Sequence, residues 1–157
     1  MLACATRPAV AFLVWASALA IWHIPACYDR ALESEPLHAL EHMTFMVGGL
    51  LVWTVLLDPA RRGTLAGWRR FGYALALLAA SGILANALIL SYRPLYPSYA
   101  HSVKRSFGLT AVGDQDLAGL VMMLEQLATV GTVAVLSARR ELRAPSVDQP
   151  ARHPLAV

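Results

Sequence analysis

The sequence predicts an all-α fold, a polytopic membrane helical bundle of about four transmembrane helices. Two observations support this prediction. Hydrophobic residues make up 57% of the 157-residue chain and charged residues only 15%, a balance outside the usual range of soluble domains. In addition, the apolar residues are gathered into four runs, each close to or above the length of a helix that crosses a bilayer.

The four runs define the predicted spans. They cover residues 9–24, 37–57, 71–90 and 117–138. The first run is near the lower length limit for a spanning helix, whereas the third contains no charged residue and is long enough on its own. Residues 1–140 are therefore expected to form a single transmembrane domain. The tail at 141–157 is polar and rich in proline, so it is expected to be disordered.

Arginines indicate how the bundle is oriented. Seven of them follow the second and fourth runs: Arg61, Arg62, Arg69, Arg70, Arg139, Arg140 and Arg143. In a four-span chain these two segments lie on the same side, which the positive-inside rule assigns to the cytoplasm. We therefore expect both termini, including the tail, to be cytoplasmic. The net charge of +3 is read as this topology signal, and no basic stripe indicates a nucleic-acid partner.

Ionisable side chains lie at the start of the second run, where the predicted helix enters the hydrocarbon core of the membrane. His38 and His42 are four residues apart, which places them on one helix face and about 6 Å apart along the axis. This spacing suits a pair of metal ligands. An ionisable group inside a spanning segment costs roughly 2.5 kcal/mol or more at the centre, so the stretch is a candidate functional site.

The predicted topology gathers most histidines on the outer face. Four of the five are expected there: His23, His38, His42 and His101. Imidazole is a good copper ligand, and sulfur from Met46 or Cys27 would favour Cu(I). Glu41 or Asp29 could hold a histidine in one tautomer. Histidines that simply hydrogen-bond to lipid headgroups are the competing interpretation.

Three other interpretations of these residues remain open. The pattern His38-x-x-Glu41-His42 matches an inverted zinc-peptidase motif, in which Glu41 would be the general base of a membrane metallohydrolase. Paired histidines could instead bind haem in a membrane electron carrier, although the third and fourth runs contain none. Residues 24–27, Ile-Pro-Ala-Cys, weakly match a lipoprotein cleavage site.

The fourth run contains one charge, Glu125, near its middle. Four residues recur at helical spacing and are predicted to face the bundle interior: Gln115, Gly119, Met122 and Gln126. Glu125 lies on a neighbouring face. Three roles are open for it: a proton relay, compensation of a metal's charge, or a hydrogen bond to a polar group such as Asn86 on the third helix.

Several motifs between residues 22 and 122 occur together. They are Trp22-His23-x-Pro25, His38-x-x-Glu41-His42, Leu95-Tyr96-Pro97 and Asp114-Gln115-x-x-Ala118-Gly119. In combination they resemble the CtaG family of cytochrome c oxidase assembly proteins. Members of that family are usually longer, so a shortened member is expected. The resemblance implies a multi-pass protein of the cell inner membrane that handles copper during maturation of a haem-copper oxidase and is not an enzyme.

The resemblance also implies roles for particular residues. It points to a copper-handling set of His23, His38, Glu41 and His42. Further motif positions have less specific roles: Tyr96, Asp114, Gln115 and Met122. The expected partners are cytochrome c oxidase subunits or other assembly factors, within the lipid membrane. Whether the chain forms homo-oligomers is left open.

Overall fold

The computed structural model describes residues 7–59, 63, 65–100 and 108–143. All regular structure in these ranges is helical, which confirms the predicted all-α fold. The helices are α1 Pro8–Trp22, α2 Pro25–Glu33, α3 Glu35–Leu57, α4 Trp68–Ile89, α5 Pro97–Ala100, α6 Ala111–Gln126 and α7 Thr132–Arg143. A π-helical turn, Leu127–Gly131, joins α6 and α7 into one helix of 33 residues.

Three of these helices are long and apolar enough to cross a membrane by themselves: α3, α4 and the joined α6–α7. Helix α1 has 15 residues and reaches spanning length only together with α2, from which it is bent by 77°. The described part of the chain thus contains three candidate spans, or four if the bent pair counts as one. This agrees with the prediction of about four.

Two predicted connectors are partly helical. The first contains α2, which starts with Pro25, a residue whose fixed φ and missing N–H suit the first position of a helix. Helix α6 begins at Ala111, upstream of the predicted start at Leu117. The reason is a helix cap, since the backbone N–H of Gly113 donates to Oγ1 of Thr110 over 3.0 Å.

The bundle is built from two closely packed helical pairs, α1 with α3 and α4 with α6–α7. Glycines let the backbones approach, as is typical of helix packing in lipid. A Cβ atom at Gly48 of α3 would lie 3.0 Å from Cα of Trp15 in α1. A Cβ atom at Gly119 of α6 would lie 2.9 Å from the carbonyl oxygen of Ala85 in α4. Contacts between the two pairs are fewer.

Most of the apolar core lies at one end of the bundle, where α1 and α4 begin and α3 ends. Its buried members include Ala11, Val55, Leu56, Ala74 and Leu77. The opposite end, where α1 ends and α3 begins, carries His23, His38 and His42, and we call it the histidine end. Its buried cluster is smaller, consisting of Ala18, Trp22 and Ala31. The larger hydrophobic cluster is therefore at the end opposite the histidines.

Candidate metal-binding site

His38 and His42 lie side by side on the first turns of α3. Their Nε2 atoms are 2.8 Å apart and their ring centroids 4.6 Å apart, and both side chains are exposed. At this distance one ring donates its Nε2–H to the lone pair of the other. If a metal ion replaced that proton with bonds of about 2 Å, a tetrahedral angle would set the two nitrogens roughly 3.3 Å apart. A small opening of the rings is enough to admit it.

Met46 continues the same helix face one turn further along α3. It is four residues after His42 and 61% exposed, so its thioether lies on the outward side of the helix with the two imidazoles. We call these three side chains the His–Met stripe. In the described ranges, no group of three or more His, Cys, Asp or Glu side chains is placed to hold a metal ion. The stripe therefore offers two imidazoles and one thioether, and it is open away from the bundle.

His23 occupies a different environment, half-buried at the end of α1. Its Nδ1 lies 2.8 Å from the carbonyl oxygen of Leu19. Because a carbonyl only accepts, Nδ1 carries the proton and Nε2 keeps a free lone pair. The Leu19 carbonyl, and not a carboxylate, fixes the tautomer. The ring also lies edge-on to Phe45, with centroids 6.3 Å apart.

The other predicted ligands lie around His23, away from the exposed stripe. Cys27 is a free, half-buried thiol that packs against the small apolar cluster at the histidine end. Glu41 is half-buried, and its charge acts on the His23 ring. The charges of Glu41, Asp29 and Asp114 act on the hydroxyl of Tyr28, in decreasing order. His101 lies outside the described residues.

Tyr96 ties the connector after α4 to the end of α1. Its ring packs on Tyr28, with centroids 4.3 Å apart, and its hydroxyl donates a long hydrogen bond of 3.4 Å to the carbonyl oxygen of His23. Burial, with a smaller contribution from Tyr28, raises the pKa of the Tyr96 hydroxyl. The hydroxyl therefore stays protonated at neutral pH and remains a donor.

Gln115 links α6 to the same connector. Its side chain is 4% exposed; Oε1 accepts from the backbone N–H of Leu95 over 2.8 Å, and Nε2 donates to the carbonyl oxygen of Leu88 over 2.9 Å. The Leu88 carbonyl belongs to the last turn of α4, where helix geometry leaves carbonyls without an intrahelical partner. Gln115 therefore satisfies two backbone groups at the histidine end.

Replacing Gln115 with leucine is expected to lower the free energy of unfolding by about 1–3 kcal/mol, because a buried N–H and a buried carbonyl lose their partner. Thermal unfolding in detergent would measure the change. Asn86→Leu is the matched control, because the exposed Asn86 amide donates only to the Gly82 carbonyl of its own helix. Equal unfolding temperatures for the two variants would contradict this role of Gln115.

The comparison with protein families decides the identification. The family model described as cytochrome c oxidase caa3 assembly factor (Caa3_CtaG) matches residues 1–144. The chain belongs to this family. No curated protein and no solved structure matches the chain. Membership confirms the resemblance seen in the motifs, and an assembly-factor family is consistent with a non-enzymatic role for this Caa3_CtaG protein.

The sequence did not predict one hydrogen bond that positions the end of α1 against α3. The indole Nε1–H of Trp22 donates to Oγ1 of Thr44 over 2.7 Å, and that hydroxyl in turn donates to the carbonyl oxygen of Glu41 over 2.8 Å. The bond fixes the end of α1 against α3 close to the histidine pair. A buried tryptophan usually needs a hydrogen-bond acceptor for its indole N–H. Trp22 was therefore the residue in the sequence that could have indicated this contact.

The interior face predicted for α6 is confirmed. Gln115 and Gly119 are buried, and Met122 and Gln126 are half-buried. Glu125 is exposed, and its carboxylate accepts from Nε2 of Gln126 at 3.0 Å and from Oγ1 of Thr129 at 3.2 Å. These hydrogen-bond partners of Glu125 are neighbours in its own helix, and the Asn86 side chain donates to the Gly82 carbonyl of α4.

Proposed function

We propose that this protein is an integral membrane copper-handling assembly factor for a haem-copper cytochrome c oxidase, and that His38 and His42 bind Cu(I). The observation that carries the metal assignment is the 2.8 Å approach of the two Nε2 atoms on an exposed helix face. The family match supports the role in oxidase assembly. The two lines of support are independent of each other.

The ligand chemistry of the His–Met stripe favours Cu(I) over harder ions. Imidazole suits copper, and a thioether selects soft ions such as Cu(I) over Mg²⁺ or Ca²⁺. An ion held by two imidazoles on an open face keeps coordination positions that a second protein can fill. Such a site suits transient binding and transfer, and oxidase subunits, other assembly factors or a second copy of this chain are candidate recipients.

Charge supports an outward orientation of this site. Arginines cluster at the end of the bundle opposite His38; those described are Arg7, Arg69, Arg70, Arg139, Arg140 and Arg143. The positive-inside rule assigns that end to the cytoplasm, with both termini. The histidine pair then lies on the outer face of the cell membrane.

Titration of the purified protein with Cu(I) under reducing conditions tests the proposal. The wild-type chain is expected to bind Cu(I), and the His38→Ala/His42→Ala variant should lose one bound ion per chain. Leu37→Ala/Leu40→Ala is the matched control, since it changes two exposed residues on the same turns of α3 without removing a ligand. If the histidine variant binds as many Cu(I) ions per chain as the wild type, His38 and His42 are not copper ligands.

Glu41 distinguishes this function from the metallohydrolase alternative. A general base has to face the metal, but Glu41 is half-buried and acts on His23, whereas the histidine pair is exposed. Glu41→Gln is therefore expected to leave oxidase maturation intact, as measured by oxidase activity in membranes. Loss of maturation with normal protein levels and normal Cu(I) binding would favour catalysis by Glu41.

A further inference from the structure

Two cavities follow one another between the helical pairs at the histidine end. The first, of about 140 Å³, is lined by residues including Tyr28, Tyr96 and Gln115, and we call it the outer cavity. The second, of about 370 Å³, is lined by residues including Ser81, Glu125 and Gln126, and we call it the inner cavity. His23 and Met122 line both cavities. These two side chains therefore lie where the cavities adjoin.

Two of the polar side chains that line the inner cavity donate hydrogen bonds to backbone carbonyls. Ser81 Oγ donates to the Leu77 carbonyl over 3.0 Å, and His23 Nδ1 donates to the Leu19 carbonyl. Gln126 Nε2 donates to Glu125, while Gln126 Oε1 is buried and has no hydrogen-bond partner in the described structure. The inner cavity therefore offers a ligand several acceptors, among them the buried Gln126 Oε1, His23 Nε2 and the Met122 sulfur.

These acceptors suit a cation, and the two atoms at the junction of the cavities indicate which kind. An imidazole nitrogen and a thioether sulfur are soft donors that suit Cu(I) better than Na⁺, Mg²⁺ or Ca²⁺. The carboxylate of Glu125 can balance the positive charge further along the inner cavity. Tyr28 lines the outer cavity, and the negative charge of Glu41 acts on its hydroxyl.

We propose that the junction of the two cavities is a second Cu(I) site, with His23 Nε2 and the Met122 sulfur as ligands and the Glu125–Gln126 pair as the acceptors beyond them. The ion enters from the histidine end through the outer cavity. This site lies between the two helical pairs, whereas the His–Met stripe lies on the outside of α3. It holds an ion whether or not His38 and His42 do.

The test uses the full chain carrying His38→Ala/His42→Ala, so that the exposed pair is absent. Cu(I) is added under reducing conditions in competition with a chromogenic Cu(I) chelator. This chain is expected to retain one Cu(I), and the further change Met122→Leu should remove it while nearly conserving side-chain volume. Met123→Leu is the matched control, because Met123 is not among the residues lining either cavity.

Two results would overturn the second site. One is absence of bound Cu(I) in the chain lacking the exposed pair, and the other is undiminished binding after Met122→Leu. If Met122→Leu fails to fold, His23→Gln replaces it, with the unfolding temperature compared with that of Met123→Leu. A chain that binds the same amount of Cu(I) with and without His38 and His42 would instead contradict the exposed site.

Discussion

Cells in which His38→Ala/His42→Ala replaces the wild-type chain are expected to lose cytochrome c oxidase activity while the variant accumulates normally in the membrane. Both side chains are exposed, so their truncation removes the two proposed copper ligands without opening a cavity. Exposed substitutions usually change stability by no more than about 0.5 kcal/mol. Alanine is also the best helix former, so α3 should remain intact. Oxidase activity and the copper content of the enriched oxidase would be measured in isolated membranes.

The matched control for this experiment is again Leu37→Ala/Leu40→Ala. It makes the same kind of truncation at 36% and 51% exposed positions of α3 and should leave oxidase activity at the wild-type level. Immunodetection of each variant in the membrane separates loss of function from loss of protein. Normal oxidase activity in the histidine variant, at normal protein levels, would show that the pair has no part in maturation.

Gly119→Ala is expected to destabilise the bundle by overpacking the contact between α4 and α6. Its Cβ would lie 2.8 Å from Cγ1 of Ile89 and 2.9 Å from the carbonyl oxygen of Ala85. Side chains can rotate away, but a backbone carbonyl moves only if α4 moves. Overpacking of this kind typically costs 1–3 kcal/mol, and we expect a decrease of about that size in the free energy of unfolding, measured in detergent.

Gly82→Ala is the matched control for the packing prediction. Gly82 lies in α4, and a Cβ there would have nothing within 4 Å. The change should be neutral or raise stability by up to about 1 kcal/mol, because alanine favours helix more than glycine does. If both alanine variants unfold at the same temperature, the close approach of α4 and α6 at Gly119 does not hold the bundle together.

The spans were predictable because each depends on a local run of apolar residues. The starts of α2 and α6 were not, because each depends on one residue in a polar stretch: Pro25 at the first position of α2 and the Thr110 cap before α6. A short helix with charged residues also gives little apolar signal. The sequence therefore predicted the long apolar helices better than the helices and helix starts in the connecting segments.

The candidate site was also predictable only where its geometry depends on a single helix. The spacing of His38 and His42 follows from one helix, and the structure brings their rings together as expected. The environment of His23 depends instead on the 77° bend between α1 and α2 and on contacts with Phe45, which no local pattern specifies. For that reason the sequence grouped His23 with the pair, whereas the structure places it beside the two cavities.

X-ray absorption at the copper edge tests the central claim most directly. The Met122→Leu chain, which lacks the thioether proposed as a ligand at the junction of the two cavities, would be loaded with one equivalent of Cu(I). We predict two imidazole nitrogens per copper at about 2 Å, a contribution that disappears when His38 and His42 are replaced by alanine. A spectrum with fewer than two imidazoles, or one that is the same without His38 and His42, would contradict copper binding by this pair.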